Sequence, residues 1–176
     1  MRIGLCGTMS VGKTTLVNAL KQLDQFKDYN FATERSEYLM NLGIPLNIDS
    51  TLKGQTVFLA ERATELMQEN IITDRTVIDV MAFAQCSKSM DWPDKEAFYA
   101  YATRLIKEYD YIFYVSPEGV EIEDNGIRET NADYREEIDI VIRHIISQQK
   151  HRIKNYHVIS GSTEERINQM ISLIDF

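Results

Sequence analysis

The stretch Gly7-Thr8-Met9-Ser10-Val11-Gly12-Lys13-Thr14, followed by Thr15, decides the fold of this 176-residue chain. Two glycines separated by four residues, then a lysine and a hydroxyl residue, follow an apolar run and precede an amphipathic stretch. Glycines let successive backbone N–H groups turn toward one anion, and the positive end of a helix dipole adds to the attraction. The spacing therefore predicts a phosphate-binding loop between a buried strand and a helix that begins at Lys13.

We expect every residue from Gly7 to Thr15 to contact a bound nucleotide, and this spacing is typical of ATP-binding P-loops. Lys13 is expected to bridge the β- and γ-phosphates of ATP and to act in catalysis, while the Thr14 hydroxyl is expected to bind Mg²⁺. Thr15 is expected near the α-phosphate. A plain glycine turn would explain the glycines but not a lysine and a hydroxyl at these offsets.

Short apolar runs alternate with longer helix-like stretches along the whole chain. This pattern predicts one domain, residues 1–176, with a three-layer α/β fold: a parallel sheet covered by helices on both faces. The expected strands are Arg2 to Cys6, Tyr29 to Thr33, Ile71 to Asp74, Tyr111 to Val115 and His157 to Ser160. Further helices are expected at about 51–68, 77–90 and 94–109, and after a capping box formed by Ser162 and Glu165.

Composition narrows the classes of partner. The formal charge of −8, from 19 basic and 27 acidic side chains, argues against a surface built mainly to hold nucleic acid. No apolar run approaches the ~20 residues that cross a bilayer. Cys6 and Cys86 follow no metal or redox spacing and the chain shows no secretory signal, so we expect free thiols in a cytoplasmic protein. The three histidines also lack metal spacing.

Asp74 ends the third predicted strand and is followed by Arg75 and Thr76. In parallel α/β sheets the ligand lies beyond the carboxyl ends of the strands, so Asp74 is expected to bind Mg²⁺ and to act in catalysis. Arg75 is expected to bind the acceptor substrate. Asp74 is also placed where it could N-cap the helix that begins near Val77, a structural role compatible with the first.

Glu34 and Arg35 follow the second predicted strand at the same edge of the sheet. A carboxylate there could orient or deprotonate an acceptor hydroxyl, so Glu34 is predicted as a catalytic and substrate-binding residue. Arg35 is predicted to bind substrate. The alternative is an ordinary charged surface loop after a strand.

The polar segment 117–135, between the fourth strand and a long helix, is predicted to be a lid over the nucleotide. Arg128 is expected to neutralise charge on the transferring phosphoryl group, the role of an arginine finger, and Arg135 is expected to bind substrate phosphate. Alternatively, these arginines pair with the many carboxylates nearby on a solvated surface.

Three motifs together resemble one kinase group: the phosphate loop, Asp74-Arg75-Thr76 with Ile78-Asp79, and Asp124-Asn125-Gly126-Ile127-Arg128 with Tyr134-Arg135. The chain resembles the AAA-type kinase-like ATPases related to the ribosylnicotinamide kinase domain of the bacterial NAD regulator. The resemblance implies a thymidylate-kinase-like core with five parallel strands in the order 2-3-1-4-5, an ATP and magnesium donor site, Asp74 beside the metal, and Arg128 in a mobile lid. Since the first strand begins at Arg2, we expect neither an adenylyltransferase nor a DNA-binding domain.

Three functions remain open at this point. The first is a kinase acting on a small nucleoside-like or nucleotide-like molecule. The second is a kinase acting on a hydroxymethylated base or a hydroxyl within DNA, as the resemblance also allows. The basic cluster that would then track the DNA backbone is formed by Arg143, His144, Lys150, His151, Arg152 and Lys154. The third is a nucleotide-dependent switch or regulatory ATPase. The sequence leaves the oligomeric state open, a homodimer included.

Overall fold

The computed structural model describes residues 1–33, 35–120 and 131–176. Its five strands form one parallel sheet, and the strand order β2-β3-β1-β4-β5 is the order that the resemblance implies. The strands are β1 (Arg2–Cys6), β2 (Asn30–Ala32), β3 (Ile71–Asp74), β4 (Tyr111–Val115) and β5 (Asn155–Ile159). The predicted α/β fold class is therefore confirmed.

Helices pack on both faces of this sheet. They are α1 (Lys13–Leu20), α2 (Ser36–Asn41), α3 (Leu52–Glu65), α4 (Val77–Cys86), α5 (Trp92–Ala102), α6 (Ala132–Gln149) and α7 (Thr163–Leu173), with short 3₁₀ turns at Asp24–Phe26, Asn47–Asp49, Thr103–Glu108 and Lys150–Arg152. One apolar cluster joins the sheet to α1 and α7, and a second joins its other face to α3, α4, α5 and α6. The strands are buried between these two layers.

The register of the strands brings the carboxyl ends of β1, β3 and β4 together. Leu5 of β1 lies opposite Asp74 of β3, and Cys6 lies opposite Tyr114 of β4. The phosphate-loop sequence leaves β1 directly after Cys6, between these two neighbours. Residues that follow β3 and β4 therefore flank the loop from both sides.

Several predicted boundaries are wrong by a few residues for identifiable reasons. Helix α4 ends at Cys86 rather than near residue 90, because Ser87 is extended and its hydroxyl donates to the carbonyl of Ser50. Helix α5 begins earlier than expected, at Trp92, since Pro93 lies in its first turn and Asp91 caps it. Strand β5 begins at Asn155, which pairs with Tyr111, two residues before the predicted start.

Other expectations are confirmed. Helix α1 begins at Lys13, and the Ser162–Glu165 capping box opens α7, with the Glu165 N–H donating to Ser162 Oγ and the Ser162 N–H donating to the Glu165 carboxylate. Cys6 and Cys86 are buried free thiols. Within the described ranges, no helix has the length and apolar character that spanning a bilayer requires.

Candidate active site

The loop from Gly7 to Thr14 has the backbone of an anion cradle. Gly7, Ser10 and Gly12 have φ of 151°, 57° and 85°, and Ser10 is one of few non-glycine residues in the left-handed region. Among the described residues, no acceptor receives a hydrogen bond from the backbone N–H groups of residues 8–14. The Ser10 hydroxyl is also buried without a partner there. Buried donors are rarely left unpaired, so these groups fit a bound polyphosphate.

Gly7 is held at the base of the cradle by its surroundings. Its N–H donates to Asp79 Oδ1 at 3.0 Å, across to the first turn of α4. A Cβ atom at this position would lie 2.8 Å from the carbonyl oxygen of Val115, at the end of β4. Only glycine therefore fits between β4 and the loop.

Lys13 lies inside the cradle with an exposure of 5%. Its ammonium donates to the carbonyls of Gly7 at 2.6 Å and Thr8 at 2.7 Å, and no ion pair found in the described part of the chain includes it. Burial lowers the pKa of Lys13, and the charge of Arg75 lowers it further, while Asp79 and Asp74 oppose the shift. A buried cation held only by carbonyls is suited to a phosphate oxygen.

Thr14 and Asp74 meet as the sequence predicts. The Thr14 hydroxyl donates to Asp74 Oδ2 at 2.5 Å, and the Asp74 side chain is buried. A hydroxyl and a carboxylate are oxygen donors of the kind that Mg²⁺ accepts, and this ion usually takes few ligands from the protein. These two side chains therefore fit the expected metal. The guanidinium of Arg62, also buried, donates to the Asp74 carbonyl at 3.4 Å and supports the strand end from behind.

Asp74 does not N-cap α4, so the structural role that the sequence also allowed for it is wrong. Thr76 is the N-cap: its hydroxyl oxygen accepts the Ile78 N–H, and Asp79 completes a capping box. Asp79 Oδ2 accepts the Thr76 N–H at 2.7 Å and the Thr76 hydroxyl at 2.8 Å. Since Oδ1 of the same carboxylate accepts the Gly7 N–H, Asp79 ties the phosphate loop to α4.

Asp79 also affects the pKa of the Cys6 thiol, at the end of β1. Burial raises the pKa of Cys6 well above its usual value, and the negative charge of Asp79 raises it further, although Lys13 lies near enough to oppose the shift. The thiol is therefore held in its neutral, weakly reactive form. Cys6 packs in the core instead of serving as a nucleophile.

A cleft lies beside the cradle and is lined by Arg75. Residues of α3 and α4 form much of its wall. Arg75 has a φ of 95°, and its guanidinium carbon lies 4.9 Å from the centre of the Phe83 ring. The residues that line the cleft include Asn47, Gln55, Phe58, Arg75, Val80 and Phe83. Backbone strain at a non-glycine residue is often found at functional sites.

Two predicted site residues, Glu34 and Arg35, follow β2 in the sequence. Arg35 forms an ion pair with Glu61 of α3 at 3.4 Å, its guanidinium carbon lies 4.3 Å from the centre of the Tyr38 ring, and it is not among the cleft-lining residues. Its neighbour Ser36 does line the cleft. Glu34 lies outside the described residues.

Of the two arginines in the predicted lid, Arg135 is described, whereas Arg128 and the rest of 121–130 lie outside the described residues. Arg135 is at the start of α6, where its Nε donates to the Met9 carbonyl at 3.2 Å and its Nη1 to the Val120 carbonyl at 3.0 Å. Its backbone carbonyl accepts the Thr8 hydroxyl at 2.9 Å, and no partner for its buried Nη2 is found among the described residues. Arg135 thus lies against the phosphate loop and is not among the cleft-lining residues.

Three residues of the site escaped the sequence analysis in these roles. Asp79 entered only as part of a resemblance, although the spacing Thr76-x-x-Asp79 is itself a capping-box signal. Arg166 of α7 donates to the Val11 carbonyl in the cradle; its spacing four residues before Met170 places it on the buried face of that helix. Gln55 carries no sequence signal for its burial in the cleft wall.

The chain has the α/β P-loop NTPase fold. Three features define it: the strand order of the sheet, the phosphate loop after β1, and the contact between Thr14 and Asp74. A family model described as an AAA domain matches residues 2–166, and the chain belongs to that family. The resemblance drawn from the sequence motifs is thereby confirmed. No curated protein in the comparison matches the sequence significantly.

Solved structures share this fold at low sequence identity. Deoxyadenosine kinase from M. mycoides with bound dCTP aligns with a TM-score of 0.69 at 18% identity, over 98% of this chain and 97% of the other. Thymidylate kinase from Ehrlichia chaffeensis gives 0.61 at 17%, over 99% and 98%. The NadR protein in complex with NAD and AMP-PNP gives 0.66 at 17%, over 99% of this chain and 50% of its own. At such identities the likeness establishes the fold.

Proposed function

We propose that this protein is an ATP- and Mg²⁺-dependent kinase that transfers the γ-phosphate to a hydroxyl or phosphate of a small nucleoside-like or nucleotide-like acceptor. One observation carries the proposal. Asp74 meets Thr14 at the cradle, and the next residue, Arg75, lines the adjoining cleft. The predicted donor site and the cleft are thus lined by consecutive residues, and transfer between two bound molecules requires that their sites be close together.

The cleft has the chemistry of a site for a planar, polar ring. Phe58 and Phe83 supply aromatic faces, while the Gln55 side chain is 3% exposed and its amide oxygen is buried without a partner among the described residues. An unpaired buried acceptor favours a ligand that donates a hydrogen bond, such as the edge of a nucleobase. Two structures with this fold support this class of acceptor: deoxyadenosine kinase from M. mycoides has dCTP bound, and the NadR protein has been solved in complex with NR.

The expected roles follow from position. Lys13 and the loop N–H groups bind the phosphates of ATP, and Mg²⁺ bound by Thr14 and Asp74 would offset their negative charge. Arg75 orients the acceptor. Glu34, two residues after β2 in the sequence, is proposed to accept the proton of an acceptor hydroxyl. Arg128 and Arg135 are proposed to stabilise negative charge on the transferred group. Arg135 is near the phosphate loop, since its Nε donates to the Met9 carbonyl.

Transfer to DNA is less well supported. Two cations of the basic cluster are paired with carboxylates, Arg143 with Asp139 at 2.9 Å and Lys154 with Asp110 at 2.8 Å. Arg152 donates to the side chain of Gln149 at 3.0 Å. These contacts reduce the positive charge that a DNA backbone would meet.

The test is an acceptor screen with γ-labelled ATP and Mg²⁺, using a mixture of nucleosides, nucleotides and oligonucleotides. We expect label in a nucleoside or nucleotide fraction. Label in the oligonucleotides would support the DNA kinase instead, and label released only as inorganic phosphate would support the regulatory ATPase. Either result would overturn the small-molecule proposal.

Gln55→Leu tests the acceptor site directly. We expect KM for the acceptor to rise about 10- to 100-fold, the usual worth of a lost hydrogen bond in a buried site, with KM for ATP unchanged. Without acceptor the variant should be at least as heat-stable, since it lacks the buried amide oxygen that has no partner among the described residues. Gln22→Leu, at an exposed position, is the matched control. An unchanged acceptor KM in Gln55→Leu would remove Gln55 from the acceptor site.

A further inference from the structure

A buried arginine from the last helix contacts the phosphate cradle from behind. Arg166 of α7 is 4% exposed, its Nη1 donates to the Val11 carbonyl at 2.6 Å, and its Nη2 lies 3.5 Å from the Ser116 carbonyl after β4. Among the described residues, the Nε of Arg166 has no hydrogen-bond partner and Arg166 forms no ion pair. A guanidinium buried against carbonyls alone is costly, which points to a role beyond packing.

The geometry of one peptide unit shows what that role is. The peptide bond between Val11 and Gly12 is trans and planar, so its C=O and N–H point in opposite directions. Because Arg166 holds the Val11 oxygen on its own side, the Gly12 N–H is directed away from Arg166. Gly12 has a φ of 85°, and no acceptor in the described chain receives its N–H.

We propose that Arg166 is a positioning residue for the phosphate loop: it fixes the Val11–Gly12 peptide plane so that the Gly12 N–H is directed at a bound phosphate before the nucleotide arrives. The guanidinium also holds Ser116, so the loop and the end of β4 share one anchor. Pre-organised donors bind an anion more tightly, because no ordering cost falls on the binding step. This inference rests on the nucleotide-binding half of the proposed function and needs no acceptor.

We expect no direct contact between Arg166 and a bound nucleotide. Both of its donating nitrogens are directed at backbone carbonyls. A Cβ built on Gly12 would lie 3.2 Å from Nη1, so the guanidinium packs directly against the loop backbone. The effect is therefore expected on the phosphates and not on the base.

The experiment compares Arg166→Met and Arg166→Lys with wild type in equilibrium binding of ATP and of inorganic tripolyphosphate, which shares only the phosphate chain. We expect Arg166→Met to weaken both ligands by a similar factor, about 10- to 100-fold, while the melting temperature without ligand stays within a few degrees of wild type or rises. Arg166→Lys keeps the charge but lacks the planar fork, so it should recover only part of the loss. Arg104→Met, an exposed arginine before β4, removes the same charge and should bind both ligands normally.

Three results would overturn the inference. Loss of ATP binding with normal tripolyphosphate binding would mean that Arg166 serves the base. Full recovery in Arg166→Lys would mean that charge alone matters. If Arg166→Met does not fold, Arg166→Lys decides: normal affinity for both ligands would make Arg166 a packing residue. Since every measurement is a binding measurement, absence of phosphoryl transfer to any acceptor would leave this result intact while removing the kinase proposal.

Discussion

Asp79→Asn is expected to loosen the junction between the phosphate loop and α4. The Asp79 carboxylate is fully buried and accepts three hydrogen bonds, from the Gly7 N–H and from the N–H and hydroxyl of Thr76. An amide has one acceptor oxygen, so its NH₂ group must face either the Gly7 N–H or the Thr76 N–H. An orphaned buried donor costs about 1–3 kcal/mol, and the remaining bonds lose their charge assistance, so we expect a loss of about 2–4 kcal/mol.

For a chain of this size that loss corresponds to a fall in melting temperature of about 5–15 °C. Urea unfolding followed by circular dichroism, with an unchanged m-value, measures it directly. Asp91→Asn is the matched control, because Asp91 is an exposed N-cap that accepts the Asp94 N–H and asparagine caps helices equally well. The reasoning is refuted if Asp79→Asn unfolds at the wild-type urea midpoint, or if the control loses as much.

Two further predictions concern the cradle. Because burial and Arg75 lower the pKa of Lys13, its ammonium costs stability at neutral pH; this cost is present below the lowered pKa and disappears as pH rises toward that of an ordinary lysine. Without ligand, Lys13→Met should therefore melt at or above the wild-type temperature, and this stability advantage should disappear at high pH. ATP should not change the melting temperature of the variant. A variant that is unfolded at pH 7 would contradict this reasoning. Asp74→Asn should lower kcat about 100-fold or more while changing ATP affinity less than about tenfold, as turnover and equilibrium binding would show, and equal losses would argue against a metal role.

The sequence was most informative where an interaction is local. The loop from Gly7 to Thr14, the start of α1 at Lys13 and the Ser162–Glu165 box all depend on residues within one or two turns of each other. Asp74 could be placed beside Thr14 because the ends of neighbouring parallel strands share an edge. These features needed only spacing and the general geometry of parallel sheets.

The sequence was least informative where the partner is remote. The end of α4 depends on a hydrogen bond from Ser87 to the Ser50 carbonyl, 37 residues earlier. The contact between Arg166 and Val11 spans 155 residues. The burial of the Gln55 side chain depends on how α3 packs, and helical spacing alone does not distinguish it from a surface glutamine. No local pattern contains these contacts.

Helix α4 forms a shared wall of the candidate active site. Asp79, in its first turn, holds the phosphate loop, while Val80 and Phe83 line the cleft. One residue inserted between Asp79 and Phe83 would rotate everything after it by about 100° and turn Phe83 away from the cleft. Insertions and deletions within residues 76–83 should therefore be far rarer among functional descendants of this chain than substitutions at the same positions.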